Sequence, residues 1–168
     1  PVPGLVNKND YESVLADVDG YANTGLIRAV VDGNGNYPNT VSGCASGCVD
    51  FNNGWYLPAA GQMRKLVSML PFLEGVSGFT TLWNSHSNGY WTSTVCVQSN
   101  NQRAWTVNCV NTSTSNGFET NSGGQFLWKA KSTGCAVRAV HDFVMEEGTY
   151  TYLWNTDATN PEITETPG

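Results

Sequence analysis

The spacing of apolar residues changes period partway along this chain, and that change limits the fold more than any other feature. Within residues 59–70, Met63, Leu66, Val67 and Leu70 stand at i, i+3, i+4 and i+7, which draws one apolar stripe along an α-helix. From residue 79 the period becomes two. Residues 90–97 and 103–110 are rich in Thr, Val, Tyr and Trp, and the polar run 98–102 joins them, so they read as a β-hairpin. Helices first and short antiparallel strands afterwards define an α+β domain.

The rest of the chain is assigned by its punctuation. Residues 1–10 form an extended lead-in, and Asn23-Thr24 caps a helix over residues 25–31. Residues 33–38 are a loop, and residues 43–50 add a helical turn. Residues 54–58 make a short strand, and Pro71 ends the helix of residues 59–70. A polar loop over 111–124 precedes strands at 125–129 and 135–143, with a bulge or an end of pairing between Val137 and Val140. A single domain over 1–143 accounts for these elements. Residues 144–168 are an extension, with a strand at 149–154 followed by an acidic linker.

Charge narrows the partners. The net charge of -6 lacks the basic stripe that a phosphate backbone needs, which excludes nucleic acid. No apolar run is long enough to insert in a membrane. Only 13% of residues are charged, about half the usual share, and Asn, Ser, Thr and Gly occupy their place. A neutral-polar, aromatic surface suits an exported protein with a recognition face, so the expected location is extracellular or at the cell surface. No signal peptide is visible, and the Pro- and Gly-bearing ends suggest a mature fragment or an excised domain.

Catalytic patterns are missing. His86 lies in a Ser/Asn loop, and His141-Asp142 ends a strand, where a structural hydrogen bond is expected. A Ser-His141-Asp142 triad fails because neighbours on a strand point to opposite faces. There is no nucleophile elbow, phosphate loop, dinucleotide fingerprint or zinc-protease motif. Asp17-Val-Asp19-Gly20 is too sparse for a calcium loop, and Cys44-x3-Cys48 lacks partners for zinc. The expectation is a binding protein, not an enzyme, with no cofactor and no metal. Cys96 and Cys109 flank the hairpin turn, and either a disulfide between them or reduced buried thiols fits their spacing.

Several motifs in order resemble one family. Asp19-Gly-Tyr-Ala-Asn-Thr24 is followed by Cys48 and Gly54-Trp-Tyr-Leu-Pro-Ala-Ala-Gly-Gln-Met63. Tyr90-Trp-Thr-Ser-Thr94, Ala104-Trp105, Val107, Lys129 or Lys131, and Val137-Arg-Ala-Val140 up to Phe143 come after. Together they are similar to the fibrobacter major paralogous domain and the C-terminal domain of Legionella collagen-like proteins. The resemblance covers residues 17–143. It implies a C-type-lectin-like fold of the formylglycine-generating-enzyme branch, with two main helices packed on short antiparallel sheets, and kinship with the variable proteins of diversity-generating retroelements. Cys96, Cys109, Thr106 and the tail after Phe143 depart from the family pattern, and the branch's reactive cysteines have no counterpart here.

On that footing Trp55, Leu57, Trp91, Trp105, Val107, Val137 and Val140 are expected in the core, and Arg138 in an internal pair. The expected ligand face comprises Trp83, Asn84, His86, Asn88, Thr92, Asn108 and Trp128, polar groups beside aromatic platforms for a protein or glycan. A structural module of an envelope or pilus-like assembly is the alternative. An enzyme relative of the formylglycine-generating type ranks third.

Overall fold

A computed structural model describes residues 2–73, 76–77, 89–96, 103–108, 117–119 and 125–142. The chain is mixed α and β, with antiparallel sheets. In chain order the described elements are α1 (Tyr11–Ala16), α2 (Gly20–Arg28), β1 (Trp55–Tyr56), α3 (Ala60–Leu73), β2 (Tyr90–Cys96), β3 (Arg103–Asn108), β4 (Gly117–Glu119), β5 (Gln125–Ala130) and β6 (Val140–His141). Strands β2, β3, β5 and β4 lie side by side in that order, while β1 and β6 pair in a second, two-stranded sheet.

The main sheet is covered differently on its two faces. On one, α1 and α3 bring Val14, Leu15, Met63, Val67 and Leu70 against Tyr90, Trp105, Val107 and Phe126. The stripe expected on α3 is this contact, with Leu66 at its margin. On the other face Trp91, Val95 and Ala104 meet Leu5, Ala45, Cys135 and Val137, side chains that come from outside the α-helices and strands. Odd and even positions of β3 therefore serve separate clusters, as the pleat requires.

Strand β2 has a local irregularity that joins sheet to helices. Trp91 pairs with Thr106 and Val95 with Ala104, so four steps on β2 match two on β3. The residues gained turn their polar groups elsewhere. Thr92 Oγ1 donates to the Trp105 carbonyl at 2.8 Å, Ser93 N to the Pro58 carbonyl at 2.9 Å, and Thr94 Oγ1 to Asp17 Oδ2 at 2.8 Å. Ser93 Oγ is buried without a protein partner among the described residues.

Two glycines are dictated by close approach. A Cβ on Gly20 would stand 2.7 Å from the Leu57 carbonyl and 2.8 Å from Ala59 N, so the start of α2 docks on the β1–α3 corner only as glycine. Gly89 has φ +80, and its Cβ would collide with the Val107 carbonyl.

Several elements differ from the sequence reading. The helix expected over residues 25–31 runs instead from Gly20 to Arg28, because Asn23 and Thr24 face inward rather than cap. Asn23 Nδ2 donates to both Asp17 oxygens at 3.1 Å, and Thr24 Oγ1 accepts from Leu57 N at 3.1 Å. Helix α1 was not expected. Asp10 caps it by accepting from Ser13 N at 2.9 Å, and six residues are too few for a periodic signal. Pro71 lies inside α3 and does not end it, since a proline in the last turn removes one hydrogen bond there. The turn expected at 43–50 is the 3-10 turn Ala45–Gly47, and a second 3-10 turn, Phe51–Asn53, follows it. Residues 111–124 contain β4, paired to β5 with Phe118 opposite Phe126. The strand expected over 135–143 is reduced to a parallel bridge between Ala136 and Tyr90, then β6. The strand at 149–154 and the linker beyond lie outside the described residues.

The possible Cys96–Cys109 disulfide does not fit this register. Cys96 is buried, in the thiol form, and opposite Arg103. Asn108, the neighbour of Cys109, is five residues farther along β3, about 17 Å at the usual strand rise. A disulfide tolerates roughly 7 Å between Cα atoms. Cys109 itself lies outside the described residues.

Candidate functional site

Two features stand out on the described surface: a cluster of aromatic side chains around β1 and β6, and a cleft beneath the second core cluster. Trp55 was expected in the core but is 45% exposed. Strand β1 has two residues, so alternation sends Tyr56 inward and Trp55 outward. Opposite it on β6, His141 meets the Trp55 ring edge-on, 5.4 Å between centroids. Tyr21 of α2, 49% exposed, stacks on Phe51 at 4.7 Å. The Arg28 guanidinium lies 5.4 Å over Phe51 and donates to the Ser46 carbonyl. Ring stacking and a cation fix these aromatics in place while leaving surface open.

Beneath the cluster, Tyr56 ties three elements together. Its hydroxyl donates to Asp142 Oδ1 and accepts from Gln62 Nε2 at 3.0 Å. Gln62 Oε1 in turn accepts from Ala59 N at 2.9 Å, at the entry to α3. The hydrogen bond expected at His141-Asp142 is thus supplied by Asp142. Burial, then the Asp142 carboxylate, push the Tyr56 phenol up to about 12. An absorbance titration is expected to show a phenolate step near pH 12 that Tyr56→Phe removes. Between 10 and 12 the unfolded chain releases a proton that the folded chain keeps, so stability falls as pH rises through that window.

The cleft measures about 420 Å³ and opens between β2–β3, the Ala45–Gly47 turn and the segment after β5. Leu57, Trp91, Val95 and Ala104 form an apolar floor, each buried. Cys44, Cys48 and Cys135 are on its wall. The Cys44 thiol donates to the Pro38 carbonyl at 3.3 Å, and the Cys48 thiol to the Ser42 carbonyl at 3.0 Å. Burial pushes the Cys135 thiol up, which opposes thiolate formation. No group of three or more His, Cys, Asp or Glu able to hold a metal ion occurs among the described residues.

The residues expected on the ligand face are dispersed. Trp83, Asn84, His86 and Asn88 lie outside the described residues. Thr92 is 3% exposed and bound to the Trp105 carbonyl, although it borders the cleft. Asn108, at the end of β3, is 2% exposed. Trp128 is half-buried, and the Arg103 guanidinium covers its ring at 3.9 Å. These strand residues face inward because the main sheet is packed on both sides. Leu57, Trp91, Trp105 and Val107 are core residues as expected, while Val137, Arg138 and Val140 are half-buried. The Trp55–His141 and Tyr21–Phe51 pairs were missed. For Trp55 the one sequence signal was alternation along the short strand expected at 54–58, and nothing in the sequence marked Tyr21 and Phe51 as a pair.

No helix among the described residues is long and apolar enough to cross a membrane. Comparison with family models, curated proteins and solved structures found no match.

Proposed function

We propose that this chain is a non-enzymatic ligand-binding domain of an exported or cell-surface bacterial protein, of adhesin or receptor type, and that it holds a protein or glycan without calcium. The reading includes a C-type-lectin-like fold, kin to the fibrobacter major paralogous and Legionella collagen-like domains. The observation that carries it is the pinned, half-exposed aromatic cluster of Tyr21, Phe51, Trp55 and His141. Rigid rings lose little entropy on contact, so they make efficient recognition platforms. Sparse charge and abundant Asn, Ser and Thr supply the polar groups around them.

Thiols along the cleft bear on the enzyme alternative. Catalysis by cysteine needs a depressed pKa, and burial moves Cys135 the other way, so Cys135 does not favour that alternative. Binding is the better reading.

A combined glycan and protein array tests the proposal with wild type, Trp55→Ala, and the Trp83→Ala/Trp128→Ala double variant. A Trp at the centre of a contact contributes enough that its truncation weakens binding by roughly tenfold or more. Loss in Trp55→Ala supports the β1–β6 cluster, and loss in the double variant supports the face first expected. A ligand held equally by all three proteins removes both surfaces.

A further inference from the structure

The cleft has a charge pattern that the aromatic cluster does not share. Its floor is apolar, and nearly every polar side chain around it is already engaged. Asn39 Nδ2 donates to the Ile27 carbonyl at 2.8 Å, and Ser46 Oγ to the Asn39 carbonyl at 2.7 Å. Thr92, Cys44 and Cys48 are satisfied by carbonyls as described. Lys131, Ser132 and Thr133 are different. Their side chains make no hydrogen bond among the described residues.

Among the described residues, Lys131 is the one charged residue lining the cleft. Burial drives its pKa down, the Cys96 thiol is its only electrostatic neighbour, and no carboxylate offsets its charge among the described residues. Lys131 is exposed at the rim, so its ammonium is free to meet an anion whose apolar body lies over the floor, a charge-assisted contact. In a chain of net charge -6, a lone cation at the rim of an apolar cavity is a local exception.

From this juxtaposition we infer that the cleft binds a small amphiphile, an apolar body bearing one carboxylate, with the body over Trp91, Val95 and Ala104 and the carboxylate against Lys131. The volume of about 420 Å³ lies in the range of small-molecule sites, roughly 300–1,000 Å³. The hydroxyls of Ser132 and Thr133 are at hand as further donors on the same turn. This site is separate from the Tyr21–Trp55 cluster, so its test stands apart from the array.

Calorimetric titration with octanoate, 1-octanol and octylammonium separates the apolar contribution from the charge. Wild type is expected to bind octanoate about tenfold more tightly than octanol, the equivalent of about 1.4 kcal/mol, and octylammonium least. Lys131→Met abolishes that preference and leaves octanol affinity unchanged, while Lys131→Arg restores it. Lys131→Gln gives the same result as Lys131→Met by a polar route, and thermal melting checks that each variant is folded. Gly134 borders the cleft, and a Cβ there meets nothing within 4 Å, so Gly134→Trp is expected to weaken both ligands by adding bulk at the cleft's edge. Equal affinity for octanoate and octanol in wild type overturns the proposal. So does a carboxylate preference that survives both neutral variants, or the absence of binding by all three probes.

Discussion

Trp105→Ala is expected to destabilise the domain by about 4 kcal/mol, the range for truncating a buried aromatic. Trp105 is 2% exposed and sits in β3, where α1 and α3 cover the sheet. Removing the indole opens a cavity that Met63, Leu70 and Phe126 would have to collapse into. It also removes a hydrogen bond, since Nε1 donates to the Lys8 carbonyl at 2.8 Å and so fastens the N-terminal segment. Trp105→Phe keeps most of the bulk and loses that bond, so it is expected to cost about 2 kcal/mol. Urea unfolding measures both. Small domains are stable by roughly 5–15 kcal/mol, so the alanine variant approaches the limit of folding. Equal losses in the two variants would show that the hydrogen bond, and not the packing, is what matters.

Asp17→Ala is expected to cost about 3 kcal/mol for a different reason. The Asp17 carboxylate is 9% exposed and accepts from Asn23 Nδ2, Thr94 Oγ1 and Asp19 N. Its own carbonyl accepts from Gly61 N at 2.8 Å. One residue thus links the loop after α1 to α2, β2 and α3. Without the carboxylate, the amide of Asn23 and the hydroxyl of Thr94 are left buried, and each lost partner costs about 1–3 kcal/mol. Thr94→Ala combined with Asp17→Ala should be less damaging than the sum of the singles, by about 1 kcal/mol in a double-mutant cycle. Strict additivity would show that the two side chains do not depend on each other.

The same residues show where sequence reading works. The α3 stripe and the β2–β3 hairpin were legible because each repeats its period over enough residues to exceed chance. Helix α2 was displaced because Asn23 and Thr24 have the chemistry of caps, and only their distant partners Asp17 and Leu57 reveal the other use. Asp17 stood in a run too sparse for a calcium loop and was given no other role, yet it accepts from groups up to 77 positions away. Trp55 looked like core by residue type, yet β1 is too short to bury both sides.

Local periodicity and composition were enough to determine an α+β chain, its central helix, its hairpin and its sparsely charged surface. Tertiary structure alone decided which polar side chains turn inward, which aromatics remain outside, and that Lys131 borders an apolar cavity. The division has a physical cause. Backbone and pattern preferences act over a few residues, whereas burial of a side chain depends on what another part of the chain brings to meet it.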